Sequence, residues 1–82
     1  MNEAFEMIEE FIFGKYEPLA FSYDFPDYLI EHYNEMLTEN EIVTELLNEN
    51  FPDICAEYER GKEPSGFIEN VKKEYETIKA VM

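Results

Sequence analysis

A chain of 82 residues with one cysteine and one histidine is too short for two domains, cannot be held by an internal disulfide, and has no Cys/His set for a structural metal. Its 45% hydrophobic and 16% aromatic content is well above that of disordered chains, so it must fold around large aromatic side chains. Twenty Asp and Glu against six Lys and Arg give a net charge of -14, which repels nucleic acid and anionic membranes and favours a positively charged protein partner.

The opening Met1-Asn2-Glu3-Ala4-Phe5-Glu6 has no basic leader region, and no apolar run approaches the roughly 18 residues of a membrane span. A cytoplasmic protein is expected. Turn chemistry divides the chain into about five short helices. In the first, over residues 3 to 13, Ala4, Phe5, Ile8, Phe11 and Ile12 share one helical face, Asn2 can cap the start and Gly14 can supply the left-handed stop. Residues Tyr16 to Tyr23 are apolar without a clear period and read as a packed connector, with room for one helical turn begun by Pro18.

Asp24-Phe25-Pro26-Asp27 predicts the second helix start, because Asp24 can accept from a free amide while Pro26 occupies the first turn. Phe25, Leu29, Tyr33 and Met36 then form its apolar stripe. Thr38-Glu39-Asn40-Glu41 has the form of a capping box ahead of a third helix carrying Ile42, Val43, Leu46 and Leu47. Asn50-Phe51-Pro52-Asp53 repeats the chemistry of residues 24 to 27 and predicts a short fourth helix with Ile54, Cys55 and Tyr58, stopped by Gly61. The repeat reads more simply as two efficient helix starts than as a duplication. After Pro64-Ser65-Gly66 a last helix places Ile68, Val71, Tyr75, Ile78 and Met82 on one side. The expected fold is a single all-α domain, residues 1–82, with Phe5, Ile8, Phe11, Leu29, Tyr33, Leu46, Ile68, Val71 and Tyr75 buried.

Catalytic equipment is sparse. His32 stands on an acidic helix without a nearby nucleophile motif, and Cys55 is surrounded by Asp53, Glu57 and Glu59, which oppose the thiolate a reactive cysteine needs. The carboxylates follow neither the calcium-loop pattern nor the Glu-x-x-His pattern of di-iron helices. No enzyme activity, cofactor or metal is expected.

The distribution of acids is more informative. From Tyr16 through Glu59 there are twelve Asp or Glu and no Lys or Arg, whereas the remaining residues carry eight acids against six bases. Asp27, Glu31 and Glu35 recur every four residues opposite one apolar stripe, and Glu41, Glu45 and Glu49 opposite another. Like charges at this spacing cost a helix about 0.2 to 0.5 kcal/mol per pair, so folding alone does not account for them. Tyr23 and Tyr28 add aromatic surface suited to gripping Arg or Lys. The candidate partner-binding set is Tyr23, Asp24, Asp27, Tyr28, Glu31, Glu35, Glu41, Glu45, Glu49, Asp53 and Glu57.

With Phe5-x-x-Ile8-Glu9-x-Phe11-Ile12-x-Gly14-Lys15, the segment Phe21-Ser22-Tyr23-Asp24-Phe25-Pro26-Asp27-Tyr28, and Asp53-Ile54-Cys55-Ala56-Glu57-Tyr58-Glu59, the chain resembles the immunity proteins of bacterial polymorphic toxin and contact-dependent inhibition systems, in the style of colicin-D-type immunity proteins. The resemblance covers most of the chain. It implies a stoichiometric inhibitor of a cognate basic toxin, commonly a nuclease; from the net charge, no direct binding of nucleic acid or membrane is expected. The competing readings are a nucleic-acid-mimicking inhibitor of a host or defence nuclease and a non-catalytic acidic adaptor.

Overall fold

The computed structural model describes residues 2–59 and 61–81, which form α1 (Asn2–Ile12), α2 (Pro18–Glu31), α3 (Tyr33–Glu39), α4 (Glu41–Glu57) and α5 (Ser65–Ala80). The described residues contain no strand, in agreement with the all-α class read from the apolar periodicity. Helix α4 packs against α2, α3 and α5, and α1 packs against α2 and α5.

Helix α1 buries Ala4, Ile8 and Phe11, and Asn2 is its first helical residue rather than its cap. Gly14 ends it at φ 81°. The Gly14 amide donates to the Phe11 carbonyl (3.2 Å) and the Lys15 amide to the Glu10 carbonyl (2.8 Å), closing the last turn with a left-handed residue that glycine adopts without Cβ strain.

The expected connector is instead the first part of α2. Pro18 starts this helix, and the Glu17 carboxylate caps it by accepting from the Ala20 amide at 2.8 Å. Asp24-Phe25-Pro26-Asp27 therefore lies inside α2, and Asn50-Phe51-Pro52-Asp53 likewise lies inside α4. The separate short fourth helix merges with the third. An interior proline removes an amide donor and crowds the carbonyl four residues earlier, here that of Ser22 or Asn48, at a cost of about 3 kcal/mol.

Tertiary packing overrides that local preference. Phe25 and Phe51, each just before a proline, are fully buried, and their rings meet at 5.1 Å with an interplanar angle of 66°. Burying a Phe contributes about 1.5 to 3 kcal/mol, so the Phe25 and Phe51 pair offsets much of the cost of the two prolines, and the other buried side chains of the same helices, Phe21 and Leu29 on α2 and Val43, Leu47 and Cys55 on α4, supply the rest.

The helix expected to run from Asp24 through Met36 is broken at His32, whose φ of -109° and ψ of 13° separate α2 from α3. No glycine or proline stands there, so packing directs the break: α3 lies along α4 and buries Met36. Asn40, rather than Thr38, caps α4 by accepting from the Val43 amide at 3.1 Å. Thr38 is still within α3, where its hydroxyl donates to the Asn34 carbonyl. Helix α4 ends at Glu57, before Gly61. Gly61, at φ 91°, instead shapes the turn in which the Lys62 amide donates to the Glu59 carbonyl.

Phenylalanines organise the core. Phe11 of α1 stacks on Phe21 of α2 at 4.3 Å and 6°, and Phe21 stacks on Phe25 at 5.0 Å and 12°. Phe67 of α5 packs 4.8 Å from both Phe11 and Tyr58. Of the nine residues expected to be buried, Ile8, Phe11, Leu29, Val71 and Tyr75 are so, whereas Phe5, Tyr33, Leu46 and Ile68 are half-buried. Beside them Ala4, Leu47 and Phe67 face inward, so the buried arc of each of these helices is centred somewhat to one side of the expected one, by well under the roughly 100° of a single residue. Met82, expected on the inner side of α5, lies outside the described residues.

Two substitutions should move stability in opposite directions. Phe11→Ala opens a cavity in the stack and should cost roughly 3 to 5 kcal/mol. Pro26→Ala restores an amide donor at a half-exposed position and should raise the urea midpoint by an amount worth about 1 to 2 kcal/mol, after the gain in unfolded-state entropy is subtracted. Urea titration of both variants followed by far-ultraviolet circular dichroism provides the check.

Candidate functional site

Because α4 runs unbroken through Pro52, it carries more of the acidic surface than the expected row of Glu41, Glu45 and Glu49. Asp53 and Glu57 continue the same four-residue spacing on the same helix, and all five acids are exposed. The ladder spans about 24 Å at 1.5 Å per residue. Each four-residue step also advances roughly 40° round the helix, so the ladder winds instead of running straight. Val43, Leu47, Phe51 and Cys55 are buried at the same spacing, displaced by two residues. At every turn the acids therefore point away from the core.

Among the described residues no Lys or Arg pairs with a carboxylate of this ladder. A described cation stands at its end, where the Lys62 ammonium donates to the backbone carbonyl of Glu57 at 3.4 Å. That position suits the negative end of the helix dipole.

The second expected row is divided. Asp27 and Glu31 are exposed on α2, but Glu35 belongs to α3 beyond the break at His32. The His32 Nδ1 lies 3.5 Å from a Glu35 carboxylate oxygen, and its ring stacks on Tyr28 at 4.4 Å. Tyr28 is half-buried against the core, roughly 140° round α2 from Tyr23. It is not part of one gripping surface with Tyr23. Burial raises the Tyr28 pKa, and the nearby Glu3, Glu35 and Glu39 add to the effect. Tyr23 is 66% exposed. Asp24 is also exposed and accepts from the Tyr16 hydroxyl at 2.5 Å, so it ties the α1–α2 turn to α2 instead of capping a helix.

Of the exposed aliphatic side chains, two stand on the acidic helices outside the expected pattern. Ile30 on α2 is 75% exposed, and Ile42, expected on the apolar side of its helix, is 66% exposed beside Glu41. For Ile42 the signal was available: Val43 and Leu47 alone complete an inward stripe, and Ile42 precedes it by one position. Cys55 is in the core, and burial pushes its thiol up to about 12. His32 and Cys55 thus lie in different surroundings, one beside Tyr28 and Glu35 and the other in the hydrophobic core.

Comparison with protein-family models, with curated proteins and with solved structures gives no match.

Three groups have pKa values raised to about 12: Cys55 by burial, and Tyr16 and Tyr75 by burial reinforced by hydrogen bonds to Asp24 and Glu9. The unfolded chain releases these protons at lower pH, near 9.0 for the thiol and 10.0 for the phenols. Their contribution to stability should be complete below pH 9 and be lost as the pH climbs through 12. Urea midpoints measured across this window should fall steadily. Tyr16→Phe and Tyr75→Phe together should flatten part of that slope.

Proposed function

We propose that this chain is an immunity-type protein that binds and neutralises a basic bacterial toxin, of the nuclease kind, through its acidic helical surface. The observation that carries this reading is the ladder Glu41, Glu45, Glu49, Asp53 and Glu57, five exposed carboxylates on one helix without a Lys or Arg partner among the described residues. A nuclease concentrates Lys and Arg along its substrate path, and a rigid row of carboxylates competes for the same electrostatic footprint. Complementary charge also accelerates encounter, which matters when the toxin must be stopped before it acts.

The surroundings of Cys55 also favour a binding role over nucleophilic chemistry. The only cysteine is buried with its thiol held protonated, and no described helix is long and apolar enough to cross a membrane.

The test begins with capture of the bound protein from the native host and its identification by mass spectrometry. Expressed alone, the captured partner should arrest growth, and co-expression of this chain should restore it. Replacing Glu41, Glu45 and Glu49 by Gln should leave folding intact, slow association, and weaken the dependence of association on salt. A partner without a basic surface, or association unchanged by the Gln variant at low salt, would return the ladder to a purely solubilising role.

A further inference from the structure

Helix α2 has an apolar surface beyond the one it turns to the core. Phe21, Ser22, Phe25 and Leu29 face inward and are buried. Leu19, Tyr23, Pro26 and Ile30 follow a second course, spaced by four, three and four residues, and occupy an arc of about 60° on a helical projection. Tyr23 and Ile30 are 66% and 75% exposed, and Leu19 and Pro26 are half-exposed. This is the three-and-four spacing of a seam that takes another helix. Asp27 and Glu31 run along one flank of it, with Asp24 beyond them.

We infer that the outer seam of α2 is the anchoring part of the partner interface and takes an amphipathic helix with apolar residues at matching spacing and Lys or Arg along its edge. This inference rests on the proposed binding function and assigns separate tasks to two helices. The α4 ladder is charge with one isolated exposed aliphatic, Ile42, and steers approach. The α2 seam combines desolvating apolar area with adjacent carboxylates, the composition that holds a complex together once formed.

The flanking charge decides the occupant. A second copy would bring a further net charge of -14 and set Asp24, Asp27 and Glu31 against the same acids, so self-association is opposed. A basic helix meets both the apolar seam and its acidic edge. Groove-bound helices are held in this way, by anchors at three-and-four spacing with charges at the rim.

The probe is a synthetic helical peptide with Leu at the seam positions and Lys and Arg beside them. Its control is a peptide of identical composition, scrambled to abolish the seam. Titrated into the full chain at low salt, the seam peptide should shift backbone amide resonances mainly along α2 and bind at least tenfold more tightly than the scrambled one. Tyr23→Ser with Ile30→Ser, both at exposed positions, should leave the urea midpoint unchanged and remove that tenfold preference. Ile42→Ser should leave it in place.

Equal binding of the two peptides, or shifts concentrated on α4, would overturn the seam while leaving the acidic surface as a general binder of basic proteins. Failure of both peptides to bind at low salt would overturn the seam and the proposed function together. Self-association of the parent in sedimentation velocity, abolished by the Tyr23→Ser, Ile30→Ser variant, would overturn the basic partner in favour of a second copy.

Discussion

The rings of Phe11, Phe21, Phe25 and Phe51 make a continuous set of contacts that passes from α1 through α2 to α4, and Phe67 ties α5 to its first ring. Four of the five helices are thereby held through side chains with few rotamers and large buried areas. A domain of this size without a disulfide has few other means of fixing the relative positions of its helices. The prolines at 26 and 52 show the strength of the constraint. Each would end a helix on local grounds, and each is carried inside one because the preceding phenylalanine has a place only in this stack.

That constraint reaches the surface. Had Pro52 ended a helix, Asp53 and Glu57 would have stood on a separate element with its own direction. Continuity through Pro52 instead places five acids at one spacing along α4, opposite Val43, Leu47, Phe51 and Cys55. The buried residues and the acids wind together, since both advance by four residues per step, and α4 can meet α2, α3 and α5 on its inner side while keeping its carboxylates outward. The continuity of α2 likewise aligns Leu19 and Tyr23 with Pro26 and Ile30. Neither surface would exist if proline had acted as it does in an isolated helix.

Much of this was legible in the residues. The periodicity of α1 and α5 announced their helices, Gly14 its left-handed turn, and Asn40 lay within the segment recognised as the start of α4. The two misplaced helix starts have a common origin. Pro26 and Pro52 carried the stronger local signal, whereas the force that overrides them is a contact between Phe25 and Phe51, 26 residues apart in the sequence. A one-dimensional pattern does not contain that contact. The break at His32 was hidden for the opposite reason: no local breaker stands there, and the packing of α3 along α4 directs the turn. The outer seam of α2 is not legible in the sequence, because its inner and outer apolar positions together obscure the helical repeat over its first half.

The stability cost of the α4 ladder bears on its purpose. Its four successive like-charge pairs oppose the helix by about 1 to 2 kcal/mol in all, at 0.2 to 0.5 kcal/mol for each pair. The cost is uneven along the helix. Glu41 lies in the first turn, where the dipole favours an anion, but Asp53 and Glu57 lie toward the carboxyl end, where the dipole adds to the repulsion. Lys62 at the Glu57 carbonyl offsets only the final turn. A surface selected for stability or solubility would set Lys at these last positions, since solubility requires net charge and not charge of one sign in one row. The acids at the carboxyl end of α4 are therefore the part of the ladder least explained by folding, and the part in which a requirement imposed by a basic partner has the most to account for.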